Sequence, residues 1–244
     1  LQGVERAKAE LIETTKNGGI CVIPSGREIL ERTARERNLE TRFTGEGEDA
    51  WSECRDGEWV LQPWNVPLEL KLSGRHNASN AASAVLMAEA LGVDPEVAAS
   101  ALGAVEPQRG RGRILKLDIA TIIDESYNAN PDSTLACLTV LSEVPGSRGA
   151  VLGDMLELGD DAPLYHREVL EQADSMGLDF LILTGSLYRE SGYETENTRT
   201  FYAGDWREAL ESLREIAAPS CTVLVKGSNS IGLGRLVREL EVNG

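Results

Sequence analysis

The chain has 244 residues, 41% of them hydrophobic, enough to bury one large core or two ordinary ones. Forty Asp and Glu against 24 Lys and Arg leave a net charge of −16, which argues against a surface built for nucleic acid or anionic lipid. No apolar run approaches the roughly 20 residues that a membrane-spanning helix requires, so no membrane insertion is expected.

Nothing at the start reads as a signal peptide, and the four cysteines (Cys21, Cys54, Cys137, Cys221) are far apart with no CxxC pair. They read as reduced core thiols of a cytoplasmic protein. The chain opens on Leu1 rather than Met, and Val4, Ala7, Leu11 and Ile12 already show helical spacing. A longer parent is therefore expected.

Asn17-Gly18-Gly19 ends that helix, and Ile20 to Ile23 reads as a short buried strand closed by Pro24-Ser25-Gly26. A charged helix over Glu28 to Arg37 and a strand near Leu39 to Phe43 complete a β-α-β pattern. From Ala50 to Leu72 short pieces alternate around Asp56-Gly57, as antiparallel strands do, so the first sheet is expected to be mixed. Gly74 to Asn80 introduces an Ala-rich helix over Ala81 to Leu91, with Asn77 or Ser79 as possible caps. Asp94-Pro95 caps the next helix, and Glu106 to Gly112, rich in Pro and Gly, marks a domain boundary.

Beyond Arg113 strands and helices alternate: strands at Ile114 to Leu117, Ile119 to Ile123, Gly149 to Leu152, Phe180 to Leu183 and Thr222 to Val225, with helices between. Asp205 with Glu208 forms the signature of a capping box. This alternation predicts an α/β fold, a doubly wound parallel sheet with helices on both faces. Parallel strands bring their carboxyl ends to one rim, where Asp124-Glu125-Ser126-Tyr127, Gly153-Asp154-Met155, Thr184-Gly185-Ser186 and Lys226-Gly227-Ser228 would meet. Carboxylates, a Lys and exposed backbone N–H groups suit a ligand carrying phosphate, or ammonium with carboxylate.

Gly74-Arg75-His76-Asn77-Ala78-Ser79-Asn80-Ala81, Arg111, Asp124 to Pro131, Val151 to Gly159 with His166, and Val225-Lys226-Gly227-Ser228 resemble, in order, the Mur ligases of peptidoglycan synthesis. The Tyr-Asn-Ala-Asn-Pro and Leu-Gly-Asp-Met-x-Glu-Leu-Gly blocks are most similar to the members that add D-Ala-D-Ala to UDP-MurNAc-tripeptide. The resemblance implies the C-terminal part of a central ATP-binding domain over residues 1–110, and a Rossmann-like C-terminal domain over 111–244.

It also implies an ATP- and Mg²⁺-dependent ligase working through an acyl phosphate, in a cytoplasmic monomer with no nucleic-acid partner. By resemblance Lys8, His76 and Arg111 are catalytic, and Lys8, if carbamylated, holds Mg²⁺. Asn77, Asn80, Arg111, Glu125 and Tyr127 bind nucleotide; Asn128, Asn130, Asp154, Glu157, Lys226 and Ser228 bind D-Ala-D-Ala. Glu125 stands where the family usually has Asp, and Asn229 where it often has Arg. No Gly-x-x-x-x-Gly-Lys-[Ser/Thr] occurs, so this polypeptide alone is expected to lack ligase activity. The competing expectations are a non-catalytic nucleotide- or amino-acid-binding module, a sibling Mur ligase, or folylpolyglutamate synthase.

Overall fold

The computed structural model describes residues 2–71 and 74–243, with side chains from 5 to 71 and 74 to 242. It divides into two compact units, Leu1–Glu106 and Pro107–Gly244.

The first unit runs α1 (Gln2–Thr14), β1 (Ile20–Pro24), α2 (Glu28–Glu36), β2 (Glu40–Thr44), β3 (Trp51–Arg55), β4 (Glu58–Gln62), β5 (Val66–Leu68), α3 (Arg75–Ala90) and α4 (Pro95–Gly103). Parallel and antiparallel pairing both occur, but in two sheets: β1 pairs with β2 in parallel, while β3, β4 and β5 form an antiparallel meander. Asp56 and Gly57 both take positive φ (52° and 88°), the two-residue turn whose twist matches an antiparallel hairpin.

One small core gathers Ala9, Ile12, Ile23, Leu30 and Ala34. Ala9 and Ile12, three residues apart, form the buried face of α1, whereas Ala7 and Leu11 are exposed. A second core sets Leu61, Val66 and Leu68 against Ala78, Ala81, Ala82 and Val85 of α3. This helix starts at Arg75, earlier than the cap chemistry predicts: Gly74 is the N-cap, without a side-chain bond, and Asn77 and Ser79 lie inside the first turns. Asp94 caps α4 through the N–H groups of Glu96 and Val97.

The second unit contains β6 (Arg113–Lys116), β7 (Thr121–Glu125), α5 (Pro131–Ser142), β8 (Arg148–Gly153), α6 (Ala162–Ser175), β9 (Phe180–Thr184), α7 (Leu187–Glu190), β10 (Arg199–Ala203), α8 (Trp206–Ile216), β11 (Thr222–Lys226) and α9 (Leu233–Asn243). Its sheet has the order β10-β9-β8-β11-β7-β6; all neighbours are parallel except the edge strand β6, which turns back on β7.

Successive strand residues feed opposite cores, as the pleat requires. Ile122, Val151, Ile182, Val223 and Val225 meet α8 and α9, while Leu152, Leu181, Leu183 and Leu224 meet α5 and α6. Every residue of β9 is buried, so a near-continuous apolar run is the sequence form of this inner strand. Asp205 caps α8, whereas Glu208 reaches the N–H of Gly204, one residue before the cap. All four cysteines are free; Cys137 and Cys221 are core residues, but Cys54 is exposed on β3, contrary to a core assignment.

Candidate functional site at the strand ends

In the second unit, β11 lies between β7 and β8, so the chain leaves β7, skips a position, winds outward through β10 and returns to fill the gap. The carboxyl ends of β7, β11 and β8 therefore adjoin where winding reverses, the place where open α/β sheets bind ligands.

At the end of β7, neighbouring acids do different work because alternate side chains face opposite sides of the sheet. Asp124 is buried, and its carboxylate accepts from the N–H of Gly110 (2.7 Å) and from the hydroxyl of Ser126 (2.6 Å). Gly112 N–H donates to the Asp124 carbonyl and Tyr127 N–H to the Gly110 carbonyl. Gly110 has φ 76°, and a Cβ there would lie 2.8 Å from the Tyr127 nitrogen, so the approach requires glycine. These bonds tie Gly110 and Gly112 to the end of β7, and the division into units falls at Glu106/Pro107, within the Glu106–Gly112 segment.

The same anchoring sets the Arg111 guanidinium 4.0 Å from the centre of the Tyr127 ring. Tyr127 is 48% exposed, so the pair is a stacked cationic and aromatic surface open to solvent.

Glu125 is half-buried, and burial pushes its carboxyl above the usual range against the opposing pull of Lys226 and Arg111. Lys226 Nζ stands 3.9 Å from that carboxylate and donates to the Asn128 carbonyl at 3.0 Å. With only 3% exposure, Lys226 works as an internal strut between β11 and the β7 turn. Asn128 and Asn130 are exposed. Asn130 and Ser133 form a reciprocal cap on α5, which commits the Asn130 side-chain oxygen to the Ser133 N–H.

The β8 end is built inward. Asp154 is buried and accepts from the N–H groups of Ser186 (2.9 Å) and Leu187 (3.2 Å), which ties β8 to the turn after β9. Gly185, at φ 110°, passes so close that a Cβ would sit 2.2 Å from an Asp154 carboxylate oxygen. Ser228 is buried, and its hydroxyl accepts from Leu156 N–H at 2.9 Å. Glu157 is exposed with φ 63°, so the turn lifts it to the rim.

Thus the structure brings Arg111, Glu125, Tyr127, Asn128, Asn130, Asp154, Glu157, Lys226 and Ser228 into one strand-end region. Only some of them face outward. Asp124 and His166 carry no separate role in the sequence reading, yet Asp124 fixes the Arg111 segment and His166 accepts from Met155 N–H in the β8 turn. An acid on the inward face of an apolar strand was the available signal for Asp124. Burial pushes the neighbouring Cys137 thiol up to about 11, which removes it as a nucleophile.

In the first unit, Lys8 is exposed on α1. His76 and Asn77 are half-buried in the first turn of α3, and Asn80 is exposed one turn on from His76. They lie in the first turns of α3 rather than in a segment that precedes the helix.

These features define a Rossmann-like α/β domain with its polar groups gathered at a topological switch point. Residues 110–229 match the family described as Mur ligase, glutamate ligase domain. Over 97% of its length the chain is 33% identical to the UDP-N-acetylmuramoyl-tripeptide–D-alanyl-D-alanine ligase of a Synechocystis species, covering 53% of that protein. The crystal structure of MurF from Acinetobacter baumannii superposes with a TM-score of 0.82 at 26% identity, over 99% of this chain and 56% of that one. A MurF ligase from Thermotoga maritima, solved in complex with ADP, shares the fold with a TM-score of 0.78 at 23% identity, over 99% and 58% of the two chains. Residues 110–229 are therefore a Mur ligase domain. The chain spans about half the length of the curated relatives it matches.

Proposed function

We propose that this chain supplies part of an ATP-dependent ligase that joins D-Ala-D-Ala to UDP-MurNAc-tripeptide. The observation that carries the reading is the exposed Arg111–Tyr127 stack beside half-buried Glu125 at the sheet's switch point. It is a surface suited to a nucleotide, in a chain 33% identical to a protein named for this reaction.

The chemistry follows from the reactants. A carboxylate is a poor electrophile; transfer of the γ-phosphoryl group of ATP to the tripeptide carboxylate gives an acyl phosphate and ADP. The D-Ala-D-Ala amine then attacks the acyl carbon, and inorganic phosphate leaves as the amide forms.

In the second unit, Tyr127 offers a ring for a base or ribose to pack on, Arg111 a cation for phosphate, and Glu125 an acceptor for a ribose hydroxyl. Asn128, Asn130 and the Gly153–Glu157 turn would receive the dipeptide. Lys226, Ser228 and Asp154 act on that pocket by holding its backbone. In the first unit, His76, Asn77 and Asn80 are the nucleotide-reading candidates, since an Asn amide offers a donor and an acceptor together. Mg²⁺ would neutralise charge on the transferring phosphoryl group. Lys8, exposed on α1, would become an oxygen ligand for it on carbamylation.

No described helix is long and apolar enough to cross a membrane. Nucleotide-linked substrates and a net charge of −16 accord with a cytoplasmic monomer that binds no nucleic acid.

The test uses the product of the whole reading frame that encodes this chain. With ATP, Mg²⁺ and UDP-MurNAc-tripeptide it should release phosphate only when D-Ala-D-Ala is added. Release driven by a diamino acid or glutamate instead would assign a sibling ligase. Because no phosphate-cradling Gly-x-x-x-x-Gly-Lys-[Ser/Thr] occurs here, the 244-residue chain should bind ADP and release nothing.

A further inference from the structure

His166 lies on α6 and is fully enclosed. Met155 N–H donates to its Nε2 at 2.9 Å, and its Nδ1 bonds the Ala162 carbonyl at 2.7 Å. A backbone amide can only donate and a carbonyl can only accept, so these partners fix the neutral imidazole with its proton on Nδ1. The Tyr188 ring meets it edge-on at 4.6 Å, and an Asp154 carboxylate oxygen stands 3.9 Å from Nε2.

We propose that His166 is the positioning residue of the 153–157 turn: as a neutral acceptor it holds the Met155 amide, and when protonated it releases that amide and turns toward Asp154. The consequence follows from atoms already placed. A protonated Nε2 is a donor facing a donor at Met155, and 3.9 Å away stands an acceptor, the carboxylate that ties Ser186 and Leu187 to β8. One proton would thus loosen two of the attachments of the turn that lifts Glu157, leaving the Leu156–Ser228 bond in place.

The charged groups facing the ring are Asp154 from the β8 turn and Glu190 from α7, with the Tyr188 hydroxyl kept protonated by burial. Both acids favour the imidazolium, but burial outweighs them and lowers the pKa from the ordinary 6.5. A folded-state value below the unfolded one means stability is fully present above the unfolded value and is lost as pH falls through the folded one. The window therefore lies on the acid side of ordinary histidine. The inference rests on the ligase reading only in giving this turn a dipeptide to hold.

Nitrogen-15 NMR of the 244-residue chain from pH 8 to pH 5 tests it. As His166 titrates, the exchange protection of the Met155 amide should fall by about tenfold, the worth of one buried hydrogen bond, and the Ser186 and Leu187 amides should shift with it. His166→Gln can place a non-titrating oxygen near Nε2 and should keep Met155 protected throughout. His166→Leu should leave it unprotected already at pH 8. Protection that survives the His166 titration, or the same acid loss in His166→Gln, overturns the proposal. D-Ala-D-Ala added at pH 8 separates the two readings: the expected Met155 behaviour without dipeptide shifts would support the His166 role while counting against the acceptor pocket.

Discussion

The carboxyl ends of β7 and β8 carry similar residues and use them in opposite ways. After β7, one acid is spent on holding residues 107–112, and Arg111, Tyr127, Asn128 and Asn130 are then presented to solvent. After β8 the chemistry turns inward: Asp154, His166 and Ser228 are all buried and all satisfied by backbone groups. Polar residues at the rim of an α/β sheet are therefore of two kinds, those that meet a ligand and those that hold the backbone meeting it. Substitutions should separate them, because holders cost stability first and presenters cost affinity first.

The largest effect is expected at Gly185. A Cβ placed 2.2 Å from the Asp154 carboxylate, at φ 110°, must either break the Ser186 and Leu187 bonds or displace the β9 turn. Each orphaned buried amide costs about 1–3 kcal/mol. Gly185→Ala should thus destabilise the second unit by about 4 kcal/mol, read as a fall in its urea midpoint. Asp154→Asn should cost less, since one oxygen still accepts. If Gly185→Ala unfolds like the parent chain, the β8 end is not held as described.

What the sequence reveals, and what it hides, follows the same division. Local chemistry is legible: Asn130-Pro131 opens α5 and Asp94-Pro95 opens α4, because a cap and its amides lie within three residues. The alternation of strands with helices likewise predicts the doubly wound sheet. Holders are illegible, because their partners are remote. Lys226 meets the carbonyl of Asn128, and Ser228 the amide of Leu156, across separations of 98 and 72 residues. A Lys-Gly-Ser turn after a strand looks the same whether its ammonium faces solvent or the core. The start of α3 is hidden for a local reason, since Gly74 supplies no side-chain cap while Asn77 and Ser79, inside the helix, look like one. The four-residue α7 and the edge strand β10 are too short or too exposed to show a period.

An intermediate effect should come from Lys226, which sharpens the comparison because it belongs to β11 yet serves the β7 turn. Lys226→Met fills the space but leaves the Asn128 carbonyl without its donor and half-buried Glu125 without its nearest cation. A cost of about 2 kcal/mol is expected at neutral pH. Glu125 already has a raised pKa, so deprotonating it opposes folding: the penalty is absent below the usual carboxylate range and fully present above the folded value. Removing Lys226 should raise that value further. The deficit of Lys226→Met should therefore shrink as pH falls from the variant's folded value to the parent's, both above the ordinary carboxylate range, and Glu125→Gln in the same background should recover part of it at pH 7. A deficit independent of pH would mean that Lys226 acts through packing alone.

The smallest effect on folding, and the sharpest on function, is expected at Tyr127. Its ring is half in solvent and stacked on Arg111, so Tyr127→Leu should change stability by no more than about 0.5 kcal/mol, the usual range for a surface site. The same change removes the face on which a base or ribose would lie and frees Arg111 from its platform. Losing a cation–π contact of about 0.5–1 kcal/mol together with a stacking surface should weaken ADP binding to the 244-residue chain by about tenfold, measured by calorimetry. Unchanged ADP affinity would move the nucleotide elsewhere. An equal loss in stability would make Tyr127 a holder, and the division between the two strand ends would fail at the residue where it is drawn most clearly.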